Sequence, residues 1–122
     1  MKNKIKAYQL GHRAEYWASI MLVCKGYFIK ERRYRCPFGE IDIIAKRGKT
    51  LVFCEVKARK DYRTAIESVN DNQKKRITRT AQYYIANLNK RLKNNKIDNQ
   101  LYRCDLILVL PKQLPIHIKN AW

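Results

Sequence analysis

The chain has 122 residues, of which 46% are hydrophobic, and its formal net charge is +17. This length suits a single domain over residues 1–122 with one hydrophobic core, and the hydrophobic content excludes wholesale disorder. The excess of 27 Lys and Arg over 10 acids favours a polyanionic partner. Nucleic acid is the first candidate and an anionic membrane surface the second, while a merely basic surface is the plainer alternative.

The cysteines argue against a structural zinc site, because the chain contains no Cys-x-x-Cys pair. The longest apolar run, residues 16–24, is too short to span a bilayer and does not resemble a secretory signal. We therefore expect a cytoplasmic protein with free thiols, no membrane partner, and Cys54 and Cys104 as small buried hydrophobes.

The first predicted element is a helix over residues 5–25 that ends at Gly26. Its apolar stripe recurs at three- and four-residue spacing and comprises Leu10, Ala14, Trp17, Ala18, Met21 and Leu22. Gly11 and Glu15 lie on the flank of that stripe, where the helix meets the sheet. A strand over residues 27–34 follows, and then a loop over residues 35–39.

The next two predicted strands, residues 40–46 and 50–58, form a hairpin with acids at the ends away from its turn. Alternation puts Glu40 and Asp42 on one face, and Glu55 and Lys57 on one face. In simple register Asp42 and Glu55 converge, with Lys57 beside them. Two carboxylates and an ammonium at one sheet end form a candidate Mg²⁺ and phosphate site. A solvated cross-strand ion pair is the plainer alternative.

The remaining elements complete an α/β fold. Residues 59–69 are polar and predicted to be loop, and Asn70 with Gln73 has the spacing of a capping box. That box opens a second helix reaching residue 93, with a core stripe of Ile77, Ala81, Tyr84, Ile85, Leu88 and Leu92. Residues 101–110 form a strand buried on both faces, in which Asp105 pairs with Arg103 or a helix end. Residues 115–119 form a short edge strand, so the predicted order is α-β-β-β-α-β-β around a mixed central sheet flanked by helices.

Six segments carry a family resemblance over almost the whole chain. They are Gly11 with Ala14-Glu15, Gly26-Tyr27, Gly39-Glu40-Ile41-Asp42, Phe53 before Glu55-Val56-Lys57, Arg103-Cys104-Asp105, and His117-Ile118-Lys119-Asn120-Ala121-Trp122. In this order and spacing they resemble the PD-(D/E)xK nuclease superfamily. More closely, they resemble the YraN family of small bacterial proteins, relatives of archaeal Holliday-junction resolvases.

The resemblance implies a restriction-endonuclease-like core and a Mg²⁺-dependent endonuclease, with Mn²⁺ able to substitute, that cleaves DNA, including branched or structured DNA. It implies a catalytic set of Glu15, Asp42, Glu55 and Lys57. Asp42, Glu55 and the Val56 carbonyl would bind the metal, and Glu15 would support a second metal through water. Opposite charges favour the ammonium of Lys57, so we expect it to orient the attacking water and stabilise the transition state. A role as base stays open once bound metal cancels the carboxylate charge.

Predicted contacts to nucleic acid come from Arg59, Lys74, Lys75 and Arg79. The YraN pattern has lysine before glutamine at the start of the second helix, whereas this chain has Gln73-Lys74. On helical phase we expect Lys74, more than Gln73, to face the sheet and contact phosphate, and we leave open whether Gln73 only caps the helix. Glu40 either orients a basic residue or binds metal, and His12 and His117 are structural or exposed.

Three functions from different classes stay open. A non-catalytic nucleic-acid-binding protein on the same fold is the alternative to the nuclease, RNA is an alternative to DNA, and peripheral membrane association is the third hypothesis. A homodimer fits the resolvase relatives. Most of the eight tyrosines suit core or edge positions better than base stacking.

Overall fold

The computed structural model describes the backbone of residues 2–91 and 100–122, and the side chains of the first helix from His12 onward. In these residues one five-stranded sheet has the order β1-β2-β3-β4-β5. The strands are β1 Phe28–Cys36, β2 Gly39–Arg47, β3 Thr50–Ala58, β4 Leu101–Val109 and β5 Ile116–Ile118. The helices are α1 Lys2–Cys24, α2 Tyr62–Glu67 and α3 Asp71–Arg91.

The predicted fold class is confirmed, because the sheet is mixed and flanked by helices. β3 and β4 are parallel, whereas β1–β2, β2–β3 and β4–β5 are antiparallel. The predicted hairpin of β2 and β3 and the short strand β5 are both present. The predicted loop over residues 35–39 is shorter than expected, because β1 and β2 pair as far as Cys36 and Gly39 and leave a tight turn at Pro37 and Phe38.

The two faces of the sheet are covered by different helices. Alternation along β3 sends Val52 and Cys54 toward α1 and Leu51 and Phe53 toward α3. The cluster under α1 is built from Ala14, Ala18, Leu22, Tyr27, Ile43, Ala45, Val52, Cys54, Val56 and Ile107. The cluster under α3 contains Ile41, Ile44, Leu51, Phe53, Ile77 and Ala81. Cys54 is fully buried as predicted, and Cys104 is partly buried against the second cluster.

The stripe predicted for α1 is wrong at Trp17, which is 54% exposed. Ala14, Ala18 and Leu22 follow one another at four-residue spacing and face the sheet, so the intervening Trp17 points to solvent. Leu10 and Gly11 lie outside the described side chains. Gly26, at φ +89°, ends the helix as predicted.

The segment predicted as loop over residues 59–69 contains α2. Asp61 caps this helix by accepting a hydrogen bond from Thr64 N at 2.8 Å. Asn70 caps α3 in the same way, with Gln73 N donating to its Oδ1 at 2.8 Å, so the predicted start of that helix is confirmed. Leu92 and Lys93 lie outside the described residues.

Strand β4 is buried on both faces only in its second half, since Leu101 and Tyr102 are exposed. The antiparallel partner β5 covers only Leu106 to Leu108. Asp105, fully buried, accepts two hydrogen bonds from Arg103 at 2.7 and 2.8 Å and one from Asn120 N at 3.0 Å, and its Oδ2 lies 2.7 Å from His117 Nε2. Burial alone would raise the pKa of Asp105, but these donors outweigh it and lower the pKa to about 2. The predicted Arg103–Asp105 pair is therefore confirmed.

Candidate active site

The candidate site lies where β2 separates from β3. The β2–β3 ladder runs from the turn only to Ile43↔Cys54. Beyond that point β2 stays paired with β1, and β3 continues alongside β4 as far as Ala58↔Val109. Asp42 lies in the opening, and its Oδ2 accepts a hydrogen bond from Val56 N at 2.8 Å. A side chain thus satisfies a β3 amide that β2 no longer reaches.

Glu55 and Lys57 project from the same face of β3, as alternation requires. Lys57 Nζ lies 3.3 Å from Glu55 Oε1, and both side chains are only 12% exposed. Asp42 and Glu55 border one cavity of about 270 Å³, whose other lining residues are Gly39, Glu40, Gln73, Arg76 and Ile77. The predicted convergence of Asp42, Glu55 and Lys57 is therefore present in the structure.

Gln73 is also part of this site, which corrects the expectation from helical phase. With its amide oriented to suit both neighbours, its oxygen accepts from Lys57 Nζ at 3.2 Å and its nitrogen donates to Ser68 O at 2.8 Å. Lys74 instead borders a separate concavity with Lys75, Arg79 and Trp122. Gln73 therefore does more than cap the helix, because it holds Lys57 between the end of α2 and the start of α3.

The pKa of Asp42 is raised to about 8. Burial is the main cause and the negative charge of Glu55 the second, whereas the hydrogen bond from Val56 N lowers it. Asp42 and Glu55 therefore cannot both ionise easily, and a bound cation would stabilise the form in which both are charged. Lys57 is a cation next to these acids, and it is already in contact with Glu55.

Glu15 lies on the α1 side of Asp42 and is occupied by another partner. Its Oε2 accepts a hydrogen bond from Arg33 Nε at 2.8 Å, and Arg33 also contacts His12. Arg33 has φ +51°, a conformation uncommon for a residue with a side chain, and both it and Arg32 border the cavity that contains Glu15 and Asp42. A regular strand would send two successive side chains to opposite faces. Sequence patterns gave no signal for this conformation.

Glu15 does not join the acidic pair as a compact ligand set. Within residues 2–91 and 100–122, no group of three or more His, Cys, Asp or Glu side chains is placed to hold a metal ion. Glu40 pairs with Arg35 at 3.3 Å on an exposed surface, which favours its role in orienting a basic residue over metal binding. The acidic oxygens brought together are those of Asp42 and Glu55.

The residues predicted to contact nucleic acid lie on two surfaces outside the cleft. Lys75 and Arg79 are exposed on α3, and Lys74 is partly exposed beside them. Arg59 follows β3 and donates to the Ala58 carbonyl at 2.7 Å. Arg76, which the sequence analysis did not single out, is an exposed cation inside the cleft. Its position could have been predicted from the sequence, because Arg76 lies three residues after Gln73 and therefore on the same side of α3.

A mixed sheet that opens into an acidic cleft at the end of its central hairpin defines a restriction-endonuclease-like α/β domain. The family model described as "Uncharacterised protein family UPF0102" matches residues 14–109. The chain belongs to this family, which confirms the YraN resemblance seen in the sequence.

Several UPF0102 proteins are similar to this chain over nearly its whole length. The UPF0102 protein of Mesorhizobium japonicum is 40% identical over 117 residues, which cover 96% of this chain and 89% of the relative. That of Maricaulis maris is 40% identical over 112 residues, covering 92% and 84%. That of Agrobacterium fabrum is 38% identical over 117 residues, covering 96% and 91%.

Proposed function

We propose that the protein is a Mg²⁺-dependent endonuclease that hydrolyses phosphodiester bonds in DNA. The observation that carries this proposal is that Asp42 and Glu55 line one cleft, with Lys57 in contact with Glu55, in a chain whose net charge is +17. A protein that only bound polyanions would gain nothing from two partly buried acids that repel phosphate.

The chemistry of the residues present fits a magnesium ion. Mg²⁺ takes oxygen ligands, retains several waters and is often bound through one or two carboxylates together with substrate phosphates. Asp42 and Glu55 supply two carboxylates, and the Val56 carbonyl is the third oxygen we propose. Burial and the charge of Glu55 raise the pKa of Asp42, and a cation bound between the two acids would lower that pKa again. Mn²⁺, which accepts the same oxygen ligands, is expected to substitute.

Each residue of the site has a separate role in the proposed reaction. A bound metal would neutralise the scissile phosphate and lower the pKa of a coordinated water. Lys57, held by Glu55 and Gln73, presents a fixed ammonium that orients the attacking water and stabilises charge building on the phosphate oxygens. Arg76 supplies a second cation within the cleft. Glu15 would take part, through water, only after it leaves Arg33.

The contacts of Glu15 favour a second candidate, a non-catalytic nucleic-acid-binding protein. Glu15 is engaged with Arg33, so the acidic set is smaller than the resemblance implies. Membrane association has less support, because the apolar stripe of α3 packs on the sheet. No helix described in residues 2–91 and 100–122 is long and apolar enough to cross a bilayer.

A cleavage panel distinguishes the two candidates. Linear, flapped and four-way DNA and a matched RNA are incubated with Mg²⁺ or Mn²⁺ and with wild-type protein, Lys57→Ala, or the exposed-lysine control Lys60→Ala. Metal-dependent cleavage by wild type and Lys60→Ala that falls at least a hundredfold in Lys57→Ala, with DNA binding retained, supports the nuclease. Equal cleavage by all three proteins would reject the assigned site. Tight binding without cleavage under any condition would favour the binding protein, and light scattering of the same samples tests the proposed homodimer.

A further inference from the structure

Two exposed aromatic side chains contact each other next to Gly39, a residue that lines the cleft. Phe38, in the turn between β1 and β2, is 51% exposed, and Tyr83 on α3 is 37% exposed. Their ring centroids are 5.8 Å apart and their planes meet at 62°. This edge-to-face contact orients both rings and leaves half of the Phe38 surface open to solvent.

The position of Phe38 is fixed by the glycine that follows it. A Cβ added to Gly39 would lie 3.1 Å from Thr80 Oγ1 and 3.7 Å from Arg76 Cβ, so the turn packs directly on α3. Thr80 is fully buried and its hydroxyl donates to Arg76 O at 2.8 Å, which prevents it from moving aside easily. The turn that carries Phe38 is thereby packed on α3 beside the cleft.

The distance from Phe38 to Asp42 is short on the scale of a nucleic-acid strand. Phe38 precedes Asp42 by four residues, which span at most about 13 Å of strand. Gly39 and Arg76 border the cavity that contains Asp42 and Glu55. Within the described residues Arg76 makes no ion pair, so its charge is available to a ligand.

An open aromatic ring beside an available guanidinium suits a nucleotide, since the ring stacks on a base and the cation contacts its phosphate. A continuous duplex keeps its bases stacked inside and offers no base face to such a ring. We propose that the Phe38–Tyr83 pair stacks an unpaired base next to the cleft, so that the protein prefers single-stranded or branched nucleic acid to continuous duplex. This inference rests on the proposed function only in taking nucleic acid as the ligand of the cleft.

A second exposed pair on the α1 side of Asp42 is consistent with a strand crossing the cleft. Tyr16 is 58% and Trp17 54% exposed, with ring centroids 6.0 Å apart. Tyr16 borders the cavity that contains Glu15 and Asp42. Aromatic rings therefore stand on both sides of the acid, within a chain whose charge attracts the phosphates between the bases.

The test measures binding without cleavage, in EDTA. Anisotropy of a labelled single strand, a forked duplex and a blunt duplex gives the Kd of each for wild type, Phe38→Ala and Phe38→Trp. We expect Phe38→Ala to weaken binding of the single strand and the fork by about 5- to 100-fold while changing duplex binding little, and Phe38→Trp to restore it. Quenching of a 2-aminopurine base, present with wild type and absent with Phe38→Ala, reports the stacking itself.

Phe28→Ala is the matched control, because Phe28 is 69% exposed at the opposite end of β1, paired with Lys46 near the hairpin turn. Thermal unfolding verifies that each variant is folded. Equal single-strand affinity for wild type and Phe38→Ala, or an equal loss toward single strand and duplex, would overturn the inference. So would self-association abolished by Phe38→Ala, which would assign the pair to a contact between two copies. The binding assay contains no metal and the cleavage panel contains Mg²⁺ or Mn²⁺, so the two proposals can fail separately. Phe38-dependent binding in EDTA, together with no cleavage in the metal-containing panel, would retain this inference and reject the proposed reaction.

Discussion

Replacing Asp42 with asparagine tests the electrostatics of the cleft while keeping its shape. The amide oxygen can still accept from Val56 N, which lies 2.8 Å from Asp42 Oδ2. In the metal-free protein the pKa of Asp42 is raised to about 8, mainly by burial and then by Glu55. The folded chain therefore keeps a proton that the unfolded chain releases near pH ~4. Because the folded state binds more protons between these values, the free energy of unfolding should fall as the pH rises from about 4 to about 8.

The size of the effect follows from two limits. A shift of roughly four pH units corresponds to a ceiling of about 5 kcal/mol. Two carboxylates about 4 Å apart repel by about 4 kcal/mol at an effective dielectric constant of about 20. Lys57, 3.3 Å from Glu55, offsets part of that repulsion. We expect Asp42→Asn to raise the free energy of unfolding of the metal-free protein by about 1–3 kcal/mol at pH 8, and by less at pH 5.

Urea unfolding in EDTA at both pH values measures this gain, and repeating it with Mg²⁺ tests the proposed ligand role. At tenfold excess over its Kd, Mg²⁺ should stabilise wild type by about 1.4 kcal/mol and leave Asp42→Asn unchanged. Glu67→Gln is the control, since Glu67 is an exposed acid paired with Arg63 on α2. Superimposable pH profiles for Asp42→Asn and wild type, or equal stabilisation of both by Mg²⁺, would refute the reasoning.

Two further predictions concern residues that hold the cleft in place. Asp105→Asn should lower the free energy of unfolding near neutral pH by about 3–5 kcal/mol, because it leaves the buried Arg103 and His117 contacts without their carboxylate. Since the pKa of Asp105 is lowered to about 2 by these donors against the opposing effect of burial, about 2.5 kcal/mol of this penalty should be lost as the pH falls from about 4 to about 2. Urea titration that finds the same variant penalty at both ends would contradict this. Gly39→Ala should cost about 1–3 kcal/mol, because its Cβ would press on Thr80 Oγ1 at 3.1 Å, and an unchanged thermal midpoint would show that the turn can move.

The elements that sequence reasoning recovered are those in which one local signal and the tertiary fold agree. The hairpin of β2 and β3 follows from two short apolar runs, residues 43–45 and 51–53, on either side of a glycine-containing turn. The alternation of side chains along a strand placed Glu55 and Lys57 on one face. The start of α3 follows from the Asn70 cap, whose hydrogen bond to Gln73 N is present. The short helix α2 was missed because six residues give too little periodicity to detect.

The role of Gln73 was open to prediction from its spacing. It lies four residues before Ile77, and Ile77 with Ala81 forms the stripe that packs on the sheet. A residue in that line faces the sheet one turn earlier, where Lys57 lies near the end of β3. The engagement of Glu15 by Arg33 was not open to prediction, because it depends on a left-handed backbone at Arg33 that strand alternation does not anticipate.

The parallel pairing of β3 with β4 sets the order in which the cleft can assemble during folding. β1, β2 and β3 join through short turns, whereas β4 reaches β3 only after the chain has passed through α2 and α3. Loop closure of that length is slow relative to hairpin formation. The carboxylates of the hairpin would therefore stand in open water at first, and would acquire Gln73, Arg76 and their dry surroundings only when the crossover docks. Tight binding of an ion should then first be measurable in the last kinetic phase of refolding, when β4 pairs with β3.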